Sequence, residues 1–155
     1  MNIVETLYLT SNQKQQVLQL WNQEYPVLLQ YASLAALEEY LAGLEQKRHY
    51  LLLGEAGEVC GWLFLFERAK ETWFALIVDS RLKGRGYGKR LLRLVQENER
   101  QLSGWVIDHD NDVKSNEEKY SSPLGFYLKN SFKVCPEERL ETDIISAVKI
   151  SWTEK

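Results

Sequence analysis

The sequence predicts a single α/β domain, and three observations carry that expectation. Residues 76–94 read LIVDSRLKGRGYGKRLLRL: an apolar β-favouring run, a loop rich in glycine and cations, then the opening of a helical pattern. Residues 49–53 and 59–67 are apolar runs joined by Gly54-Glu55-Ala56-Gly57, a hairpin signal, and 72–78 adds a third member to that meander. Leucines and aromatics at helical spacing recur over 11–25, 33–44 and 89–102. At 155 residues the chain is long enough to bury one substantial core.

The elements follow in order. Residues 3–9 alternate loosely and read as an edge strand. Ser11 or Asn12 caps the next helix, which places Val17, Leu18, Trp21 and Tyr25 on one face until Pro26 ends it. Ser33 caps a second helix with Leu34, Leu37, Tyr40, Leu41 and Leu44 apolar. In the meander, 72–78 alternates weakly, as a central strand buried on both faces does. Over 89–102 the leucines and Val95 form a stripe, Arg93, Gln96, Glu97 and Arg100 face water, and Ser103-Gly104 stops the helix. A strand over 105–108 follows, then a polar stretch over 109–119. Pro123 suits the first turn of a last helix. The final strands are 132–135 and 147–152, separated by an acidic loop over 136–143.

Composition narrows the function classes. The chain is 45% apolar and 26% charged with a net charge of −3, an ordinary soluble composition in which a basic loop is a local feature. Nucleic-acid binding through bulk charge is disfavoured on that ground. The N-terminus lacks a secretory pattern and no apolar run approaches the roughly 20 residues that span a bilayer, so the expectation is a cytoplasmic protein without membrane contact. Cys60 and Cys135 lack C-x-x-C spacing and read as buried reduced thiols, with no metal site or redox pair.

The chemistry lies in the glycine loop. The first N–H groups of a helix have no intrahelical acceptor and sit at the positive end of its dipole. Gly84, Gly86 and Gly88 let backbone approach an anion, and Arg81, Lys83, Arg85, Lys89, Arg90 and Arg93 add positive charge. This is a pyrophosphate site. It is not a Walker loop, because three residues rather than four separate Gly84 from Gly88-Lys89-Arg90 and no hydroxyl follows. Nor is it a dinucleotide fingerprint, because the spacing is G-x-G-x-G with no acidic strand end about 20 residues on.

Lys83-Gly84-Arg85-Gly86-Tyr87-Gly88, followed by Leu91-Leu92, resembles the acetyl-CoA loop of the GNAT superfamily of N-acyltransferases, Q/R-x-x-G-x-G/A. Lys83 stands where that pattern has Gln or Arg; an alternative register from Arg81 fits it literally but starts the helix two residues too early. Residues 125–132, GFYLKNSF, resemble the family's second landmark, F-Y-x-x-x-G-F, with Ser131 where glycine is usual. The resemblance implies a central mixed, mostly antiparallel sheet of six to seven strands flanked by about four helices.

It also implies acetyl-CoA as co-substrate, without a metal. Leu76, Ile77 and Val78 would lie along the pantetheine, and Lys83, Gly84, Arg85, Gly86, Tyr87, Gly88 and Lys89 would hold the pyrophosphate. Tyr127 matches the tyrosine that protonates the leaving thiolate. Asp108 or His109, at the end of the fifth strand, would serve as base, with Glu71 a third candidate; adjacent strand residues point to opposite faces, so only one of Asp108 and His109 faces the groove. Where many relatives carry a cofactor-touching asparagine this chain has Tyr120, and Asn111 or Asn116 are the possible substitutes. The acceptor would be a primary amine, small molecule or peptide, taken up by a monomer or homodimer. A non-catalytic acyl-CoA sensor is the competing reading, ahead of a small RNA-binding domain. Asp108, Asp110, Asp112, Glu117 and Glu118, against Lys114 and Lys119, make 108–119 an acidic stretch that would attract cationic acceptors if it rims the site.

Overall fold

Seven strands and four helices form in a computed structural model that describes all 155 residues. In chain order they are β1 (Asn2–Thr6), α1 (Ser11–Glu24), α2 (Leu34–Ala42), β2 (Glu45–Leu53), β3 (Val59–Arg68), β4 (Glu71–Val78), α3 (Tyr87–Asn98), β5 (Gln101–Val106), α4 (Leu124–Lys129), β6 (Lys133–Glu141) and β7 (Ser146–Thr153). They make one sheet in the order β1-β2-β3-β4-β5-β7-β6. Every pairing is antiparallel except that of β4 with β5. No helix is long and apolar enough to cross a membrane.

Both faces of the sheet are covered, which explains the unbroken apolar runs of the meander. Leu51, Trp62, Phe64, Phe66, Trp73 and Ile77 pack against Val17, Leu20 and Trp21 of α1 and Leu37 and Leu41 of α2. Their strand neighbours Leu52, Leu63, Leu65 and Phe74 point the other way, against Leu91, Leu92 and Val95 of α3 and Tyr127 of α4. Arg48 on β2 pairs in a fork with Glu99 after α3, at 3.0 and 2.7 Å, tying the meander to the second helical layer.

Several element boundaries differ from the sequence expectation. β1 stops at Thr6 rather than residue 9, because the Thr6 hydroxyl donates to the Tyr8 carbonyl at 2.8 Å and turns the chain. The α1 cap is Thr10, not Ser11 or Asn12: its Oγ1 accepts from Gln13 N–H at 3.1 Å while Gln13 Oε1 takes the Thr10 N–H at 2.9 Å. β2 begins four residues early, at Glu45, across an irregularity at Gln46, whose φ is 51°.

The largest correction concerns α3. It starts at Tyr87 and ends at Asn98, and Leu102, Ser103 and Gly104 belong to β5, opposite Trp152, Ser151 and Ile150. Gly104 is no helix stop. A Cβ there would lie 2.8 Å from Phe74 Cε1, so the glycine makes room for that ring. β5 itself ends at Val106 rather than 108. The acidic loop expected over 136–143 shrinks to 142–145, because β6 continues to Glu141 through an irregularity between Cys135 and Arg139. Both cysteines are free thiols; Cys60 is buried and Cys135 only half-buried.

Candidate active site

β4 and β5 share one rung, Trp73 with Ser103. β4 remains paired to β3 over its whole length, from Arg68–Glu71 to Gly61–Val78. Beyond Trp73, the edge of β4 that faces β5 therefore has no ladder partner, and the gap opens toward the C-terminal ends of both strands. Ala75, Leu76 and Val78 stay half-buried beside it, while Ile77 is buried on the α1 face. Trp73 and Trp105 flank the single rung with ring centroids 5.3 Å apart. Trp73 Nε1 is the one sealed side-chain polar atom in the protein without a hydrogen-bond partner.

β4 runs straight into the glycine loop. Asp79, buried at 6% exposure, caps a short 3₁₀ turn, Ser80–Leu82. Its carboxylate accepts from the Arg81 backbone N–H at 2.9 Å and from Arg81 Nη2 at 2.6 Å. The Arg81 contacts hold the Asp79 carboxyl below its ordinary pKa. Arg81 is thus tied down, whereas Lys83, Arg85, Lys89, Arg90 and Arg93 are exposed. Gly84 and Gly86 have φ of +80° and +83°, the left-handed region that glycine enters without strain. The backbone N–H groups of Gly84, Arg85 and Gly86 find no acceptor within the protein, and the first intrahelical bond of α3 runs from Arg90 N–H to the Gly86 carbonyl. An anion seated here would meet free amides, a helix terminus and loose cations together.

Tyr127 approaches from α4. Its ring is packed edge-on against Phe74, Phe126 and Phe132 at 5.6, 5.1 and 5.5 Å. Burial, with the nearby Tyr120 second, raises its pKa, so the hydroxyl keeps its proton at neutral pH. Tyr120 and Tyr25 stand close by with ring centroids 6.5 Å apart, and burial raises the pKa of each as well. Three phenols thus lie within electrostatic reach of one another. Tyr25 escaped the sequence reading because, as the last apolar residue before Pro26, it reads as a core residue; nothing in its spacing marks a site.

The base candidates differ in how tightly they are held. Asp108 is gripped by Arg139, Nη1 to Oδ2 at 2.9 Å and Nη2 to Oδ1 at 3.0 Å, which pulls its pKa down. Glu71 accepts from Lys149 Nζ at 3.0 and 3.2 Å. His109 is in no such fork: its Nδ1 accepts the Asn111 N–H at 3.1 Å, and Asp112 Oδ2 lies 3.9 Å from Nε2. The Asn116 side chain caps its own turn at Glu118 N–H, 3.0 Å.

The polar stretch after β5 folds back on α1. Val113 carbonyl accepts the Val27 N–H at 2.8 Å, and Lys114 Nζ lies 3.6 Å from Glu24 Oε1. The other Glu24 oxygen takes the Ser80 N–H at 2.9 Å, so one carboxylate touches the polar stretch and the start of the glycine loop. Groups of three or more His, Cys, Asp or Glu arranged to hold a metal are absent.

A sequence model described as the acetyltransferase (GNAT) family matches residues 14–126. No curated protein matches the chain. Among solved structures, the aminoglycoside 6'-N-acetyltransferase of Enterococcus faecium superposes with a TM-score of 0.71 at 15% identity, over 99% of this chain and 97% of that one. The GNAT superfamily phosphinothricin acetyltransferase of Sinorhizobium meliloti, in complex with acetyl-CoA, gives 0.69 at 11% over 99% and 89%. The ribosomal-protein-alanine N-acetyltransferase of Brucella melitensis gives 0.68 at 14% over 99% and 100%.

Proposed function

This chain belongs to the GNAT acetyltransferase family, and on that premise we propose that it transfers an acetyl group from acetyl-CoA to a primary amine by direct attack in a ternary complex. The observation that supports the reading is the succession of an unpaired β4 edge and a loop of acceptor-free amides at its end, with the protonated Tyr127 packed on Phe74 of the same strand. Leu76, Ile77 and Val78 offer main chain to a pantetheine arm, and Gly84, Arg85, Gly86, Tyr87, Gly88 and Lys89, with Lys83 beside them, offer amides and charge to a pyrophosphate. Acetyl-CoA, once bound, supplies a thioester carbonyl carbon to the amine.

Each remaining task falls to a residue. Tyr127 gives its hydroxyl proton to the departing sulfur. His109 takes the proton lost by the amine at Nδ1, releasing the Asn111 N–H, and Asp112 beside Nε2 then faces the imidazolium. Asp108 is better suited to anchoring: Arg139 occupies both its oxygens and joins the end of β5 to β6. Tyr25 and Tyr120 shape the space around the acid. The acceptor is a primary amine, small molecule or peptide, of a kind left open by the superposed enzymes, whose named substrates differ.

The test is release of free CoA thiol from acetyl-CoA across a panel of amines, with the product identified by mass. Amine-dependent thiol release with one acetyl group added to nitrogen is expected. Tight acetyl-CoA binding without turnover on any amine would instead favour a sensor.

A further inference from the structure

Away from the cleft, the turn after β1, the end of α2 and the start of β2 enclose a groove of about 270 Å³. Leu7, Leu41 and Ala42 form its apolar side, Lys14 and Lys47 its basic side, and His49 also lines it. His49 is 2% exposed, yet half its polar capacity is unused. Trp62 Nε1–H donates to His49 Nδ1 at 3.0 Å, which places the proton of the neutral ring on Nε2. That Nε2–H has no acceptor in the protein, and it is not sealed, since Trp73 Nε1 alone is both buried and unpartnered. It therefore opens into the groove that the ring lines.

The charges around this donor are also uncommitted. Lys14 has no carboxylate within 4 Å, and Lys47 Nζ reaches only the Leu44 carbonyl, at 3.0 Å. Glu38 is the single acid of the lining, so two lysines face one glutamate. The volume is many times the roughly 10–15 Å³ that a single water needs. A buried donor, a cationic rim and an apolar wall of this size match one ligand chemistry.

We propose that this groove is a second binding site, for a small monocarboxylate bearing an apolar group, whose carboxylate accepts the His49 Nε2–H. Lys14 and Lys47 supply the counter-charge, and the apolar part lies on Leu41 and Ala42. Trp62 reports the occupancy: it holds the other side of the same imidazole and stacks on Phe64 at 4.3 Å, in the aromatic layer beneath α1 and α2.

Benzoate, with about nine non-hydrogen atoms, is a suitable probe. Titrated into the full chain, it should move the Trp62 indole N–H resonance and half-saturate at about 1 mM or below. Benzyl alcohol, of the same shape without charge, should bind at least about tenfold more weakly. The Lys14→Gln/Lys47→Gln variant, changed only on the rim, should weaken benzoate about tenfold or more, and Ala42→Trp should fill the groove and abolish the shift. If Ala42→Trp does not fold, the lysine variant decides. Equal binding of benzyl alcohol, unchanged benzoate affinity in the lysine variant, or a Trp62 resonance that never moves would each overturn the proposal.

Discussion

Two buried rings carry predictions at the scale of single residues. Tyr127→Phe keeps the packing against Phe74, Phe126 and Phe132 and removes only the hydroxyl. If that hydroxyl is the acid, turnover should fall by about 10²-fold or more with CoA affinity unchanged, measured by thiol release and calorimetry side by side. Equal turnover would leave Tyr127 a packing residue. His49 gives a prediction in pH. Burial first, and the Lys47 charge second, push its pKa from 6.5 down to about 4. The unfolded chain then binds the extra proton between those values, so this contribution to stability is complete above about pH 6.5 and is lost as pH falls toward 4. From about pH 7 to 4.5 the loss is on the order of 2 kcal/mol. Urea unfolding at both pH values should show His49→Gln losing less stability than the native chain; an identical loss would show that the ring titrates as if exposed.

At the scale of elements, the glycine loop is the most exposed to test. Gly86 sits at φ +83° as the residue before α3, and a Cβ there meets nothing. Gly86→Val should therefore fold at a cost of about 1–2 kcal/mol of backbone strain. It should weaken acetyl-CoA binding by well over tenfold, about 1.4 kcal/mol or more. Calorimetry giving native affinity in the folded variant would remove the loop from the cofactor site. The same loop explains what was legible beforehand. A glycine turn with left-handed φ leading into α3 is written in short-range terms, glycines and cations within six residues, and so could be read directly. Gly104 could not: its reason lies in the Phe74 ring, 30 positions away in sequence, so it looked like a helix stop. The β6 extension was hidden likewise, because the charged residues Glu137, Glu138, Arg139 and Glu141 have no alternation, and Arg139 is instead drawn to Asp108. Local chemistry is visible in a sequence; partners supplied by distant strands are not.

Across the whole molecule, the three-strand meander and a mixed, mostly antiparallel sheet were expected from the sequence and the family resemblance, whereas the docking of 109–121 against the end of α1 was not. That stretch is polar, and what fixes it are Val27–Val113, Glu24–Lys114 and Tyr25–Tyr120, three contacts at the end of α1 and the turn that follows it. Its acids are partly engaged: Asp110 accepts the Ser122 N–H at 2.7 Å, and Asp108, just before the stretch, has Arg139. Glu117 and Glu118 remain exposed. If they face incoming amines, kcat/KM for a diamine should fall as added salt shortens the Debye length below roughly 10 Å. Glu117→Gln/Glu118→Gln should flatten that dependence. A salt response unchanged in the double variant would place the stretch outside the acceptor's path.

The single rung between β4 and β5 has a mechanical consequence. β1 to β4 form one cohesive ribbon and β5, β7 and β6 another; their single ladder rung is Trp73–Ser103, and the side-chain bonds Thr72–Gln101 and Glu71–Lys149 join them at the same end of β4. A pantetheine arm lying in the gap would act as the missing strand, turning two ribbons that can breathe apart into one plate. Amide hydrogen exchange should register this directly. The β4 amides that face β5 should exchange fast in the free protein and slow by at least about tenfold when CoA is added, while β2–β3 amides hardly change. Uniform protection across both ribbons would mean that the sheet was already a single rigid body.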